Sequence, residues 1–282
     1  MILNMFQRQK YFKNLYLSVM KFVYSLITLL IISGSYAQDT SLFKREKFGS
    51  GGDTLNYRIL YPSKYDVNKK YPLVLFLHGA GERGSDNEKQ LVHGASLFLD
   101  SLNRVQYPAF VIFPQCPRDS TWAVLKREPP PGADSLGKFR FLSEAAPVKP
   151  MQLLLTFLDS ITATPQIDTR KVYVGGLSMG GMGTFEILWR RPRVFAAAFP
   201  ICGAGDPKKV KTYARNFPIW VFHGSSDVVV LPSNSRLMVN ALKKAGAKVK
   251  YSEYEGVGHD SWTNAFAEPQ LLPWLFEQQK RK

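Results

Sequence analysis

The stretch Val172-Tyr173-Val174-Gly175-Gly176-Leu177-Ser178-Met179-Gly180-Gly181 constrains this chain more than any other. A short apolar strand runs into a serine framed by glycines. A helix leaves it, from about Met182 to Arg190, and stops before Pro192, which cannot continue one. The core Gly176-Leu177-Ser178-Met179-Gly180 reads Gly-x-Ser-x-Gly, a nucleophile elbow. Turning from strand to helix in so few residues forces the serine into a strained backbone. Only residues without a Cβ let the neighbouring backbone pass that close. The serine hydroxyl is then presented at the strand end, beside a helix N-terminus that favours developing negative charge.

The first residues of the 282-residue chain read as a targeting segment. Met20-Lys21 precedes the apolar run Phe22 to Ile32, and Ser35-Tyr36-Ala37 places small residues where a signal peptidase reads them. The apolar run is well short of the ~20 residues that span a bilayer. The expectation is a signal peptide over residues 1–37, cleaved after Ala37, with export from the cytoplasm and no stable membrane insertion afterwards. Arg8, Lys10 and Lys13 make a long n-region, and a start at Met20 would be more economical. The remaining residues 38–282 are enough for one large core in a single domain. Removing the four basic residues of the leader lowers the formal charge from +15 to +11. No basic run is interleaved with aromatics, so no nucleic-acid partner is expected. Two cysteines, Cys116 and Cys202, are too few for a disulfide scaffold.

The rest of the chain alternates strands and helices. Strands are expected at Phe43 to Phe48, Thr54 to Tyr61, Tyr71 to Leu77, Ala109 to Phe113, Val194 to Pro200, Ile219 to Phe222 and Val249 to Tyr254. The run Tyr71-Pro72-Leu73-Val74-Leu75-Phe76-Leu77 is apolar throughout, as in a strand buried on both faces of a parallel sheet. Helices are expected from Asn87 to Leu99, from Pro150 to Thr162, from Pro232 to Ala245 with Gly246 as its cap, and towards Gln279. This order implies a mainly parallel central sheet with helices on both faces. The stretch from Arg118 to Lys149, with Pro129, Pro130, Pro131, Pro147, Gly132 and Gly137, reads as a long irregular loop.

A serine hydroxyl needs a base to take its proton, and the base needs an acid to orient it. On a sheet of this kind the acid follows the serine along the chain and the histidine follows both. Of His78, His93, His223 and His259, only His259 lies on a loop beyond the last strand. Asp206 and Asp227 stand between Ser178 and His259. Asp206 precedes Pro207, which a helix start explains; Asp227 has no such explanation and is the expected acid. The oxyanion donors are expected at the backbone N–H of Met179 and of Ala80, with Gly81 second. His78 and His223 are expected to pack within their strand-end loops, and His93 reads as a structural residue of a helix. Trp122 and Trp262 are expected to touch substrate, with Phe139 and Phe141 as a wall. No His, Asp, Glu or Cys cluster has metal-ligand spacing, so neither metal nor cofactor is expected.

These residues carry a resemblance. Leu77-His78-Gly79-Ala80-Gly81-Glu82-Arg83-Gly84, Pro114-Gln115-Cys116-Pro117 with Trp122, Gly176-Leu177-Ser178-Met179-Gly180-Gly181 and Gly258-His259-Asp260-Ser261-Trp262 together resemble secreted bacterial α/β hydrolases of the predicted-peptidase, phospholipase/carboxylesterase and feruloyl-esterase-like group. The similarity runs from about Tyr57 to Glu277. It implies the α/β-hydrolase fold, a triad of Ser178, Asp227 and His259, and a strand order that puts two strands between Cys116 and Cys202. The elbow with its acid and histidine is read as hydrolysing carboxylic esters through an acyl-enzyme, and the aromatic residues at the mouth are read as favouring short-chain or aromatic acyl groups, on small-molecule or polysaccharide-linked esters. A serine peptidase and a catalytically silent binding protein are the alternatives. No N-terminal propeller of the kind true prolyl oligopeptidases carry is expected, which weighs against the peptidase.

Overall fold

The structure, a computed structural model, describes residues 39–128 and 138–280. The leader expected over residues 1–37 lies outside them, as do Pro129, Pro130, Pro131, Gly132 and Gly137. The described residues build one eight-stranded sheet with the order β1-β2-β4-β3-β7-β8-β9-β10. Its strands are β1 (Phe43–Ser50), β2 (Asp53–Leu60), β3 (Tyr71–Leu77), β4 (Phe110–Pro114), β7 (Ile167–Leu177), β8 (Ala197–Ile201), β9 (Pro218–Gly224) and β10 (Lys248–Tyr254). The first two strands form an antiparallel hairpin, and β2 meets β4 antiparallel. From β4 through β10 every neighbouring pair is parallel. The alternation predicts this mainly parallel sheet, and the whole is the α/β-hydrolase architecture that the resemblance implies.

Side chains alternate across the sheet, so each strand feeds two cores. On one face Leu73, Leu75, Leu77, Val172 and Val174 pack with α3 (Lys149–Thr162), α4 (Met179–Arg190) and α5 (Pro232–Lys244). On the other, Val74, Phe76, Tyr173, Phe199 and Phe222 pack with α1 (Ala95–Leu99), α6 (Trp262–Phe266) and α7 (Leu271–Glu277). Continuous apolar runs in β3 and β8 follow from this double burial. Ser178, Asp227 and His259 follow β7, β9 and β10, so all three leave the carboxyl edge of the sheet, where open α/β sheets place their ligands. No helix among the described residues is long and apolar enough to cross a membrane.

Two expectations need correction. The single helix expected from Asn87 to Leu99 is a short 3-10 turn, Lys89–Leu91, followed by the five-residue α1. Gly94 breaks it at φ +87°, and a Cβ there would meet the Phe266 ring at 2.8 Å. A further short helix, α2 (Ser101–Gln106), follows, capped by the Asp100 carboxylate accepting from the Asn103 N–H. The stretch after Arg118 is also less irregular than expected. It holds an antiparallel hairpin of β5 (Leu125–Glu128) and β6 (Lys138–Phe141). Leu125, Phe139 and Phe141 of that hairpin pack on Ala123, Met182, Ala204 and Val230.

Candidate active site

The elbow is built by close backbone approach. Ser178 sits at φ 52°, ψ −115°, an unfavourable region for a residue with a Cβ. Gly180 allows it, since a Cβ there would lie 1.9 Å from the Leu77 carbonyl oxygen. The Ser178 N–H donates to the Ile201 carbonyl at 2.9 Å, which ties the turn to β8. Met179 opens α4, so its N–H has no intrahelical acceptor and faces the same side as the helix N-terminus.

The histidine loop docks on the acid loop in the same way. A Cβ on Gly224 would stand 2.3 Å from the carbonyl oxygens of Val257 and Gly258. Ser226 donates its N–H to Val257 at 2.9 Å, and the Gly256 N–H donates to Ser225 Oγ at 2.9 Å. This docking brings three side chains from far apart in the chain into one line. His259 Nε2 lies 2.9 Å from Ser178 Oγ, and His259 Nδ1 lies 2.7 Å from Asp227 Oδ2. The second Asp227 oxygen, Oδ1, accepts the N–H groups of Val229 at 2.8 Å and Val230 at 2.9 Å. The Asp227 side chain is fully buried. Burial alone would raise its pKa. Hydrogen bonds from His223, His259, Val230 and Val229 more than reverse that and hold the carboxyl below the usual carboxylate range. An ionised acid, an imidazole and a hydroxyl in this line can pass a proton from the serine to the histidine.

Asp206 takes no part. Its carboxylate accepts the Lys208 N–H at 2.9 Å and closes a turn, the structural role that Pro207 implied. His78 is buried and bonds only to backbone. Its Nδ1 faces the Gly79 carbonyl at 2.6 Å, and its Nε2 accepts the Cys116 N–H at 2.9 Å. Burial lowers its pKa to about 4, against the opposing pull of the Gly79 hydrogen bond. It thereby pins the Ala80–Glu82 turn, which carries the expected oxyanion donor Ala80, to the loop after β4. His93 lies in a turn rather than in the helix expected for it, its ring tilted against that of Trp262 with centroids 5.1 Å apart and Glu82 at 3.8 Å.

The two tryptophans part company. Trp262 is half-buried and stands edge-on to His259, with ring centroids 5.4 Å apart. Trp122 is 0% exposed, which corrects its expected contact with substrate. Its indole N–H donates to the His78 carbonyl at 3.2 Å, and it packs on Gly183, where a Cβ would come within 2.4 Å of it. A large ring that close to helix α4 has no path to a ligand.

Sequence spacing also hid several neighbours. Cys202, at φ 40°, directly follows β8 beside the elbow. Its thiol, an Asp227 oxygen and a His259 nitrogen lie within 4.8 Å of one another, a set of metal-ligand types that no sequence spacing announced. The set suits a proton relay better than a metal. Asp227 and His259 are already bonded at 2.7 Å, closer than two ligands of one tetrahedral ion, and burial pushes the Cys202 thiol well above its usual range. Cys116 and Cys202 are both buried and unpaired, with β3 and β7 between their strands. His223, finally, touches Asp227, which its strand-end position did not reveal.

Comparison with known proteins agrees with this architecture. A thermostable esterase of known structure is 37% identical, with a TM-score of 0.75, over 86% of this chain and 64% of its own. A ferulic acid esterase structure shares the fold at 18% identity and a TM-score of 0.59, over 83% of this chain and 97% of its own. A curated poly(3-hydroxyalkanoate) depolymerase C from Paucimonas lemoignei is 25% identical over 81% of this chain. The chain spans only 55% of that depolymerase's length. The sequence profile of the phospholipase/carboxylesterase family matches residues 65–270. With its sheet order, its elbow and that match, the chain belongs to the phospholipase/carboxylesterase family of α/β hydrolases.

Proposed function

We propose that the protein is an exported serine hydrolase that cleaves carboxylic esters through an acyl-enzyme. The observation that carries this reading is the line Ser178 Oγ, His259 Nε2 at 2.9 Å, and His259 Nδ1 to Asp227 at 2.7 Å. Ser178 attacks the ester carbonyl while His259 takes its proton. Asp227 orients the ring and stabilises the imidazolium. The N–H of Met179, aided by the α4 N-terminus, and that of Ala80 receive the oxyanion. His259 returns the proton to the departing alcohol, and water then repeats the attack on the acyl-serine. Export rests on the signal-peptide pattern of residues 1–37, with cleavage after Ala37.

The preferred acyl groups are short or flat, including those linked to polysaccharides. Trp262, edge-on to His259, supplies an aromatic rim, and the hairpin carrying Phe139 and Phe141 packs against Met182 of α4 and Val230 of the acid loop. A hydrolysis panel tests this: nitrophenyl acetate, nitrophenyl palmitate, methyl ferulate, acetylated xylan, a poly(3-hydroxyalkanoate) film and a peptide amide. The expected result is kcat/KM falling from acetyl to palmitoyl, with negligible amide cleavage. Values rising towards palmitoyl would overturn the acyl preference, and amide cleavage matching ester cleavage would overturn the reaction class.

A further inference from the structure

The acid of the site has two imidazoles, and the reading above uses one. His223 ends β9 with no exposed surface at all. Its Nε2 lies 2.7 Å from the Val230 carbonyl oxygen and 3.2 Å from Asp227 Oδ2, the same oxygen that meets His259. Both of those groups accept hydrogen bonds and neither donates, so Nε2 carries a hydrogen shared between them. The other ring nitrogen, Nδ1, lies 2.6 Å from Ser235 Oγ of α5. Ser235 in turn reaches the Gly203 carbonyl at 3.1 Å, one residue beyond Cys202 and beside the elbow. Ser235 is also completely buried. The imidazole is thus fixed at both nitrogens before it meets the carboxylate.

We propose that His223 is a positioning residue for the reaction, holding Asp227 Oδ2 so that the carboxylate presents one fixed lone pair to His259. Asp227 then receives four hydrogen bonds: two backbone N–H groups on Oδ1, and His223 and His259 on Oδ2. A carboxylate on a short loop turns freely about its last bond unless both oxygens are engaged. The backbone pair fixes Oδ1; His223 fixes the second oxygen, and with it the tilt of His259 towards Ser178. The neighbouring charges do not compete for this role. Glu253 of β10, which lies opposite His223 in the sheet register, is paired with Arg236 of α5 and bonded by Tyr251. Cys202, next to the same carboxylate, is held in its neutral form by burial.

This inference rests on Asp227 and His259 working as proposed, and one pair of variants separates the two ideas. The amide of Gln reaches about as far as Nε2, whereas the amide of Asn reaches only as far as Nδ1. His223→Gln therefore keeps a donor for Asp227, and His223→Asn keeps only the contact with Ser235. With a nitrophenyl ester, the Gln variant should stay within about threefold of wild type. The Asn variant should lose about tenfold to a hundredfold in kcat, the scale of a slightly misplaced catalytic group, with KM within about twofold. Losing a donor also concentrates negative charge on the oxygen facing His259 and favours the imidazolium. The acid limb of the kcat/KM profile should therefore move up by about half a pH unit or more in the Asn variant. Lost packing alone would lower the melting temperature and leave that limb in place. Should the Asn variant fail to fold, Ser235→Ala frees the ring from its Nδ1 anchor and should shift the limb in the same direction. Equal kcat and an unmoved limb in folded Asn and Gln variants, or an unmoved limb in Ser235→Ala, would overturn the proposal. A wild type without esterase activity would instead remove the reading on which it stands.

Discussion

The chain writes His-Gly where two strands end, Leu77-His78-Gly79 at the end of β3 and Phe222-His223-Gly224 at the end of β9, and the fold gives the pair different work. Each imidazole is buried and each strand is parallel. His78 hydrogen-bonds to backbone groups alone and clamps one loop to the next. His223 meets a buried carboxylate as well as backbone and a serine. The difference lies in the loop that follows. After His78 the chain turns away through Ala80–Glu82, while after His223 it comes back within four residues to put Asp227 against the ring. A strand end is a fixed mount, and the residue four positions on decides whether it carries scaffold or chemistry.

The sharpest test of that division is at the acid. Asp227→Asn should lower kcat by about 10⁴, because the amide favours the wrong imidazole tautomer, while Asp206→Asn, whose amide oxygen can still accept the Lys208 N–H, should leave both kcat and stability nearly unchanged. Steady-state kinetics and not melts decide between them, and the reverse ranking in kcat would move the acid to Asp206. The β3 end predicts the opposite kind of loss. Trp122, which hangs from the His78 carbonyl, is fully buried, so Trp122→Ala should cost about 3–5 kcal/mol of stability by leaving a cavity. Chemical denaturation measures it, and a loss under about 1 kcal/mol would contradict the burial.

His78 itself adds a pH signature. Its pKa falls from an ordinary value near 6.5 to about 4 on folding, so between those values the unfolded chain holds a proton that the folded chain lacks. The stabilisation is complete above pH ~6.5 and is lost as pH falls through about 4, a difference of about 3 kcal/mol. Relative to wild type, His78→Gln should therefore flatten the decline of stability between pH 6.5 and 4; parallel declines would show that His78 is not held neutral. The smallest effect is expected at the rim. Trp262→Ala should lower kcat/KM for nitrophenyl acetate by roughly tenfold, the scale of one lost aromatic contact, with little change in melting temperature.

Much of this arrangement is legible in the sequence because it follows from local patterns. Apolar runs announce β3 and β7, glycine spacing announces the elbow, chain order singles out His259, and Pro207, by accounting for Asp206, leaves Asp227 as the acid. Gly246 caps α5 at φ +81°, as its place after the helix predicts. What the sequence hides is what depends on distant partners. Trp122 reads as a rim residue until the glycine at position 183, on another element, is seen to leave room for it inside. The hairpin of β5 and β6 lies in a stretch whose prolines and glycines read as loop, and its apolar residues find their core on Ala123, on Met182 of α4, on Ala204 and on Val230 of the acid loop. His223 and Ser235 stand on a strand and a helix whose approach no spacing encodes.

The central claim is that Ser178 becomes acylated, and intact-mass spectrometry on a slowly turned-over ester, followed by peptide mapping, tests it directly. The account predicts one acyl group per chain, on Ser178, absent from the Ser178→Ala variant, whose turnover should fall by several orders of magnitude while its circular dichroism is unchanged. An adduct on another residue, or undiminished turnover by the Ala variant, would contradict it.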